Sequence, residues 1–194
     1  MILEGIVTTM GPDGAVNVAP MGPRVDAAMQ RFVLRPFRTA RTYANLKAHG
    51  EGVLHVTDDV LLLAKATVRA LDPLPPMTPA TVVGGKVLTD VCRYYEFRVV
   101  DCDDRGDRVT FDARVVHSAR LRDFFGFNRA KHAVVEAAIL ASRTAFLPAE
   151  TIAAELARLA PAVEKTGGDY EREAFALLEQ YVRQSAVISE RQAD

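Results

Sequence analysis

A chain that is mostly β over its first two-thirds and helical over its last third is predicted by three observations. Alternating and β-branched runs, separated by turn signals, fill residues 2–118. Composition shifts near Phe124. Beyond that point three segments carry apolar residues at helical spacing: Ala130, Val134, Ala137, Ala138 and Ala141; Ile152, Leu156 and Leu159; and Phe175, Leu178 and Val182.

Taken in order, residues 2–10 read as a strand, and Gly11-Pro-Asp-Gly14 as the turn returning residues 15–19 as its hairpin partner. Pro20-Met-Gly-Pro23 is expected to end that hairpin in an irregular bend. Arg31-Phe-Val-Leu34 reads as a third strand. Residues 39–48 follow as a helix, with Thr39 as its N-cap and Gly50 and Gly52 at its end. Gly52-Val-Leu-His-Val-Thr57 reads as a buried strand, and Asp58-Asp59 as the cap of a short helix over residues 60–70. The Pro-rich Asp72-Pro-Leu-Pro-Pro-Met-Thr-Pro79 is expected to be a surface loop outside any ladder. Residues 94–101 and 108–118 should pair across Asp103-Asp-Arg-Gly-Asp107, since Val109, Phe111, Ala113 and Val115 alternate with Thr110, Asp112 and Arg114. Helices are then predicted over residues 128–146, 148–165 and 170–185.

The 194 residues allow one good core, or one domain with a helical appendage. Net charge is −1, which implies no large basic face and argues against nucleic acid as the main partner. No stretch approaches a membrane span, and Met1-Ile-Leu-Glu-Gly-Ile6 reads as a strand instead of a signal peptide. Cys92 and Cys102 form no CxxC pair, and with His49, His55, His117 and His132 they give no metal-ligand spacing. A soluble, cytoplasmic, metal-free chain is expected.

The most informative segment is Arg35-Pro-Phe-Arg-Thr-Ala-Arg-Thr42, between a strand and a helix. Three arginines before or within the first helical turn oppose the helix dipole, so a mere solvated helix start accounts for them poorly. Arginines, hydroxyls and free N–H groups at a helix N-terminus suit a phosphate monoester. Arg38 and Thr39 are the first candidates, with Arg41, Thr42 and Arg35 beside them. Thr39 and Thr42 share one helix face at this spacing.

This strand–helix–strand segment resembles the flavin reductase-like FMN-binding split barrels. In that group a serine- or threonine-rich loop opens a helix ending in Asn-Leu or Asn-Ile, followed by glycine and a strand. Thr39-Ala-Arg-Thr-Tyr-Ala-Asn-Leu46 and Gly50-Glu-Gly-Val-Leu-His-Val-Thr57 fit the layout. The whole chain is more specifically similar to the DUF447 family. The resemblance rests on Glu4-Gly-Ile-Val-Thr-Thr9, Asn17-Val-Ala-Pro-Met-Gly22, Arg35-Pro-Phe-Arg-Thr39 and Val56-Thr-Asp-Asp59. Asn128-Arg-Ala-Lys-His132, Glu136-Ala-Ala-Ile-Leu-Ala141 and Lys165-Thr-Gly-Gly168 complete it. Leu54-His55-Val56 departs from the Val-Asn-Val of many flavin reductase-like members.

The resemblance implies a six-stranded Greek-key FMN-binding split barrel over residues 1–123 and a three-helix unit over residues 124–194. It implies FMN as cofactor, a homodimer, and a small-molecule redox substrate. It places Asn17, Ala19, Pro20, Met21 and Gly22 beside the flavin ring, where Gly22 permits close approach. Thr57 is within its candidate reach of phosphate or ring. The implied function is an oxidoreductase. The family's occurrence alongside tetrahydromethanopterin-linked one-carbon metabolism implies a pterin-related substrate. Two alternatives stay open: a module that stores or senses FMN or the deazaflavin F420 without turnover, and a ligand-free interaction protein.

Other motifs read as structural. His55 and His132 read as core or dimer-face histidines in preference to catalytic bases. Lys165-Thr-Gly-Gly168 follows a helix and lacks the Walker spacing, so it reads as a C-cap turn. Val83-Gly-Gly-Lys86 fails the dinucleotide-binding layout, and no serine-nucleophile or paired-carboxylate motif is present. No catalytic residue is assigned.

Overall fold

Strand β1 (Gly5–Met10) returns through the Gly11-Pro-Asp-Gly14 turn as β2 (Val16–Met21), as the turn signal predicts. The Gly14 N–H donates to the Gly11 carbonyl at 2.9 Å, and the Ala15 N–H to Asp13 Oδ1 at 3.0 Å. In the computed structural model, residues 1–106 and 109–193 are described, with side chains in the last helix to Val187. Asp107 and Arg108, placed by the sequence in the second hairpin, lie outside them.

β3 (Arg24–Val25), β4 (Arg31–Leu34), β5 (Glu51–Val56), β8 (Arg93–Asp103) and β9 (Thr110–Arg120) complete the main sheet. Among the described residues it has seven strands, in the order β2-β1-β5-β8-β9-β4-β3, and each neighbouring pair is antiparallel. The six-strand expectation is therefore corrected. The Leu3 N–H donates to Pro23 and the Val25 N–H to Met1, so the stretch before β1 ties to β3 at the opposite edge. This curls the sheet into a half-barrel, which the two-residue β3 makes possible and sequence reading passes over.

Two further expectations are corrected. Pro20 lies inside β2, opposite Ile6, where an edge strand leaves its missing N–H harmless. The Pro-rich stretch supplies β6 (Met77–Pro79), which pairs with β7 (Lys86–Leu88) as a separate two-stranded hairpin. The proline at its end faces Lys86, where the ladder stops.

The sheet has two apolar faces. Val7, Leu54, Tyr95, Phe97, Phe32, Leu34 and Phe111 pack the inner one, with Phe32 edge-on to Phe97 at 5.2 Å between centroids. Helix α1 (Arg41–His49) adds Leu46 to it and ends at Gly50, whose φ of 66° is the left-handed cap the sequence predicts. The outer face carries Val53 and Tyr94 beneath Val83 and Val87 of the β6–β7 hairpin.

Polar side chains pin that hairpin. Glu96 is fully buried, and its carboxylate accepts the N–H groups of Thr81, Val82 and Val83 at 2.8, 2.6 and 3.0 Å. Burial pushes its pKa up, but the three donors win and hold it below the usual carboxylate value. His55 is also fully buried. Its Nε2 receives the Leu88 N–H at 3.1 Å, so Nδ1 carries the proton and donates it to the Ile6 carbonyl, also at 3.1 Å. The core reading of His55 holds.

The chain divides into two compact units, Met1–Asp58 with Leu74–Phe124, and Asp59–Pro73 with Phe125–Asp194. The second contains α3 (Arg129–Ala141), α4 (Ala149–Thr166) and α5 (Asp169–Ala193), close to the predicted spans. It also takes in α2 (Val60–Thr67), which packs on α3 and α5 and makes it a four-helix unit among the described residues. The reason is composition: Val60, Leu61, Leu62, Leu63, Ala64 and Ala66 are all buried and need cover on every side. Asp59 caps α2 through the Leu62 N–H at 2.9 Å. The Lys165-Thr-Gly-Gly168 segment is a helix end, as read, and also closes the start of α3. Thr166 Oγ1 accepts the Ala130 N–H and its carbonyl accepts Asn128 Nδ2, both at 3.0 Å. His132 is exposed, edge-on to Phe127 at 5.9 Å, which corrects the core half of its reading as a core or dimer-face histidine.

Burial lowers the His55 pKa to about 4, and the Ile6 bond opposes this only in part. The folded chain then binds fewer protons than the unfolded one between pH 6.5 and 4. Stability is full above that window and falls as pH drops through it. We predict a loss of about 2 kcal/mol between pH 7 and pH 5 by urea denaturation. A His55→Gln variant should show a clearly flatter dependence.

Candidate functional site

The start of α1 is a cationic helix end without a side-chain cap. Ala40, extended at φ −80° and ψ 142°, is the N-cap, so the expectation for Thr39 is corrected. Phe37 through Ala40 form a tight turn, closed by the Ala40 N–H on the Phe37 carbonyl at 3.0 Å. That turn carries Thr39 one position too early to cap. Arg35, Arg38, Thr39 and Arg41 are all exposed, and the first turn holds no acidic residue. Among the described residues, nothing accepts the N–H groups of Arg41 and Thr42, although Thr42 is only 2% exposed. The end of the helix therefore has two N–H groups without an acceptor among the described residues, in a segment that carries three exposed arginines.

Below it sits a buried polar cluster. Asn17 of β2 donates from Nδ2 to Thr42 Oγ1 at 3.1 Å and, more weakly, to Thr9 Oγ1 at 3.4 Å. Asn45 of α1 donates to the same Thr9 oxygen at 3.0 Å. The Thr42 hydroxyl thus points to the sheet, and the spacing argument that set it beside Thr39 on one outward face fails.

Arg38 and Lys47 meet the β8–β9 loop. Arg38 Nε donates to the Gly106 carbonyl at 3.2 Å, and Lys47 Nζ pairs with Asp104 at 2.6 Å. That ion pair raises the Lys47 pKa and lowers that of Asp104, the hydrogen bond being the main cause of each.

Register locates the other candidates. Asn17, Ala19 and Met21 alternate onto the inner face, opposite Thr9, Val7 and Gly5, while Pro20 faces outward. The Thr9–Asn17 row and the Gly5–Met21 row are four residues apart, about 14 Å along the strands. Gly22 follows β2 at this far end, where an added Cβ would meet Glu4 Oε1 and Ile2 Cγ2, both at 3.0 Å. Thr57, half-buried just past β5, belongs to the same end. The structure thus brings Asn17 and Thr42 together, next to Arg41 in the chain, and leaves Met21, Gly22 and Thr57 at the opposite end of β2.

A family profile described as "Protein of unknown function (DUF447) N-terminal domain" matches residues 3–122, and its companion "Protein of unknown function (DUF447)" matches residues 128–180. The chain belongs to the DUF447 family. Among solved structures it is similar to an FMN-bound DUF447 protein of Methanosarcina mazei, at 21% identity and a TM-score of 0.81, over 93% of this chain and 94% of that one. It also resembles the 2-nitrobenzoate 2-nitroreductase of Pseudomonas fluorescens, at 17% identity and a TM-score of 0.52, over 60% and 64% of the two chains. The styrene monooxygenase flavin reductase of Pseudomonas putida S12 gives 16% identity and a TM-score of 0.54, over 62% and 82%. A comparison with curated protein sequences finds no match.

Much of what reads as DUF447 sequence is structural. In Val56-Thr-Asp-Asp59 the buried Asp58 pairs with Arg122 at 2.7 Å. Arg122 also holds Asp90 at 2.8 Å and touches Cys92 Sγ at 3.2 Å. Burial pushes the Cys92 thiol pKa up, which makes it an inert packing group. Among the described residues no three His, Cys, Asp or Glu side chains converge as a metal site. No described helix is long and apolar enough to cross a membrane. Sequence reading missed Thr9 and Asn45. In Gly5-Ile-Val-Thr-Thr-Met10 both faces are buried, so no alternation singles out Thr9 in the sequence.

Thr39→Ala is predicted to leave the unfolding midpoint almost unchanged, within about 0.5 kcal/mol, because Ala40 is the cap. A loss near 1 kcal/mol in chemical denaturation would restore Thr39 to that role.

Proposed function

We propose that this DUF447 chain is an FMN-binding flavoprotein, acting as an oxidoreductase on a small molecule. The observation that carries the reading is the start of α1. Two helix N–H groups have no described acceptor, the segment around them exposes Arg35, Arg38, Arg41 and Thr39, and the first turn holds no carboxylate. These groups fit a phosphate monoester better than a neutral ligand. The FMN bound by the Methanosarcina relative supports FMN as that monoester.

Arg41 and Thr42 would hold the phosphate by their N–H groups, and the guanidinium groups of Arg38 and Arg41 would neutralise its charge. Asn17, Ala19 and Met21, running about 14 Å along the inner face of β2, offer a track for the rest of an elongated ligand. Bound flavin supplies the electron transfer. The chain's own contribution is position and electrostatics, since the fully buried His55 is neutral and committed to Ile6 and Leu88. A pterin-related substrate, carried by the family resemblance alone, and a cytoplasmic location, carried by the composition of the sequence, remain part of the proposal.

Loss of the phosphate should weaken binding about tenfold or more, since charge-assisted contacts contribute about 1.5–3 kcal/mol each. Fluorescence quenching by FMN and riboflavin measures this directly. Equal affinities would remove the phosphate from the reading. We also propose a homodimer, as the split-barrel resemblance implies. Sedimentation at micromolar concentration should give a dimer, and a monomer with FMN bound would contradict it.

A further inference from the structure

We infer that Thr9, buried on β1, is the positioning residue that makes the start of α1 selective for a phosphate. The inference rests on the phosphate reading above and extends it to a buried side chain. Thr9 is 1% exposed, on the inward face of β1 that also carries the core residue Val7, and it stands opposite Asn17. One oxygen accepts from two amides, Asn45 Nδ2 in the middle of α1 and Asn17 Nδ2 on the edge strand. Asn17 passes the link on to Thr42 in the first turn.

The geometry matters because apolar contacts alone do not orient the start of α1. They hold both ends of the helix, Tyr43 of the first turn against Phe111 and Leu46 in the last turn, while the exposed Arg41 and the side-chain-free cap at Ala40 add no hydrogen bond to the sheet. Such contacts leave rotation about the helix axis loosely set. The chain Asn45–Thr9–Asn17–Thr42 fixes the turn whose two N–H groups would meet the anion. Hydrogen bonds from aligned helix donors weaken steeply with misorientation, so a small tilt costs the phosphate contacts and leaves contacts along β2 intact.

Thr9→Val keeps the shape and removes the shared oxygen. FMN affinity should fall about tenfold while riboflavin affinity stays within twofold, so the preference between them collapses. Thr9→Ser should restore it. In the ligand-free variant, hydrogen exchange at Tyr43 and Ala44, whose N–H groups close the first turn on Ala40, should quicken about tenfold relative to Leu46. Should Thr9→Val fail to fold, Asn45→Leu removes one donor at a helical site that tolerates leucine, and should lower the preference in the same direction. Equal losses for both ligands, or an unchanged preference in either folded variant, would overturn the positioning role. A wild-type protein without preference for FMN would instead overturn the phosphate reading itself.

Discussion

The organisation of the barrel unit depends on how one short helix is held against a sheet whose inner face is otherwise oil. Leu46 and Tyr43 supply the apolar contact, but packing alone sets the rotation of the helix only loosely. The amides of Asn17 and Asn45 supply direction, because hydrogen bonds to Thr9 and Thr42 are made at one orientation only. With those bonds in place, no described side-chain N or O that is fully buried lacks a partner. The helix start then keeps its donors open for something outside the chain.

The same logic recurs on the other face. The β6–β7 hairpin is too short and too rich in proline to stand alone, and it covers Val53 and Tyr94 because Glu96, His55 and Glu51 take its backbone N–H groups. Both faces of the sheet thus use a few buried polar side chains to fix the position of a weak element. In the helical unit Glu171 does similar work, pairing with Lys131 at 3.0 Å and accepting the Gly168 N–H at 2.9 Å. Of the motifs that carry the family resemblance, Thr9, Asn17, Lys131 and Gly168 take part in these attachments.

What could be read from the sequence follows from locality. The first hairpin, the Gly50 cap, the Asp59 cap, the β8–β9 pair and the three long helices all announce themselves within a few residues. The two-residue β3, the β6–β7 hairpin and the membership of α2 in the helical unit do not, because each is decided by partners far along the chain. The site shows the same division. The arginine cluster is visible as composition, whereas the cap shift from Thr39 to Ala40 depends on a turn at Phe37. The inward direction of Thr42 depends on Asn17, 25 residues away. Thr9 and Asn45 are polar residues on buried faces, and only the fold reveals that they serve each other.

The central claim is that an anion belongs at the start of α1. Amide NMR of the labelled protein, titrated with FMN and separately with riboflavin, reads that place residue by residue. The account predicts that the Arg41 and Thr42 amide protons move strongly downfield with FMN and barely respond to riboflavin. FMN binding that leaves those two amides unmoved, while shifting others, would contradict it.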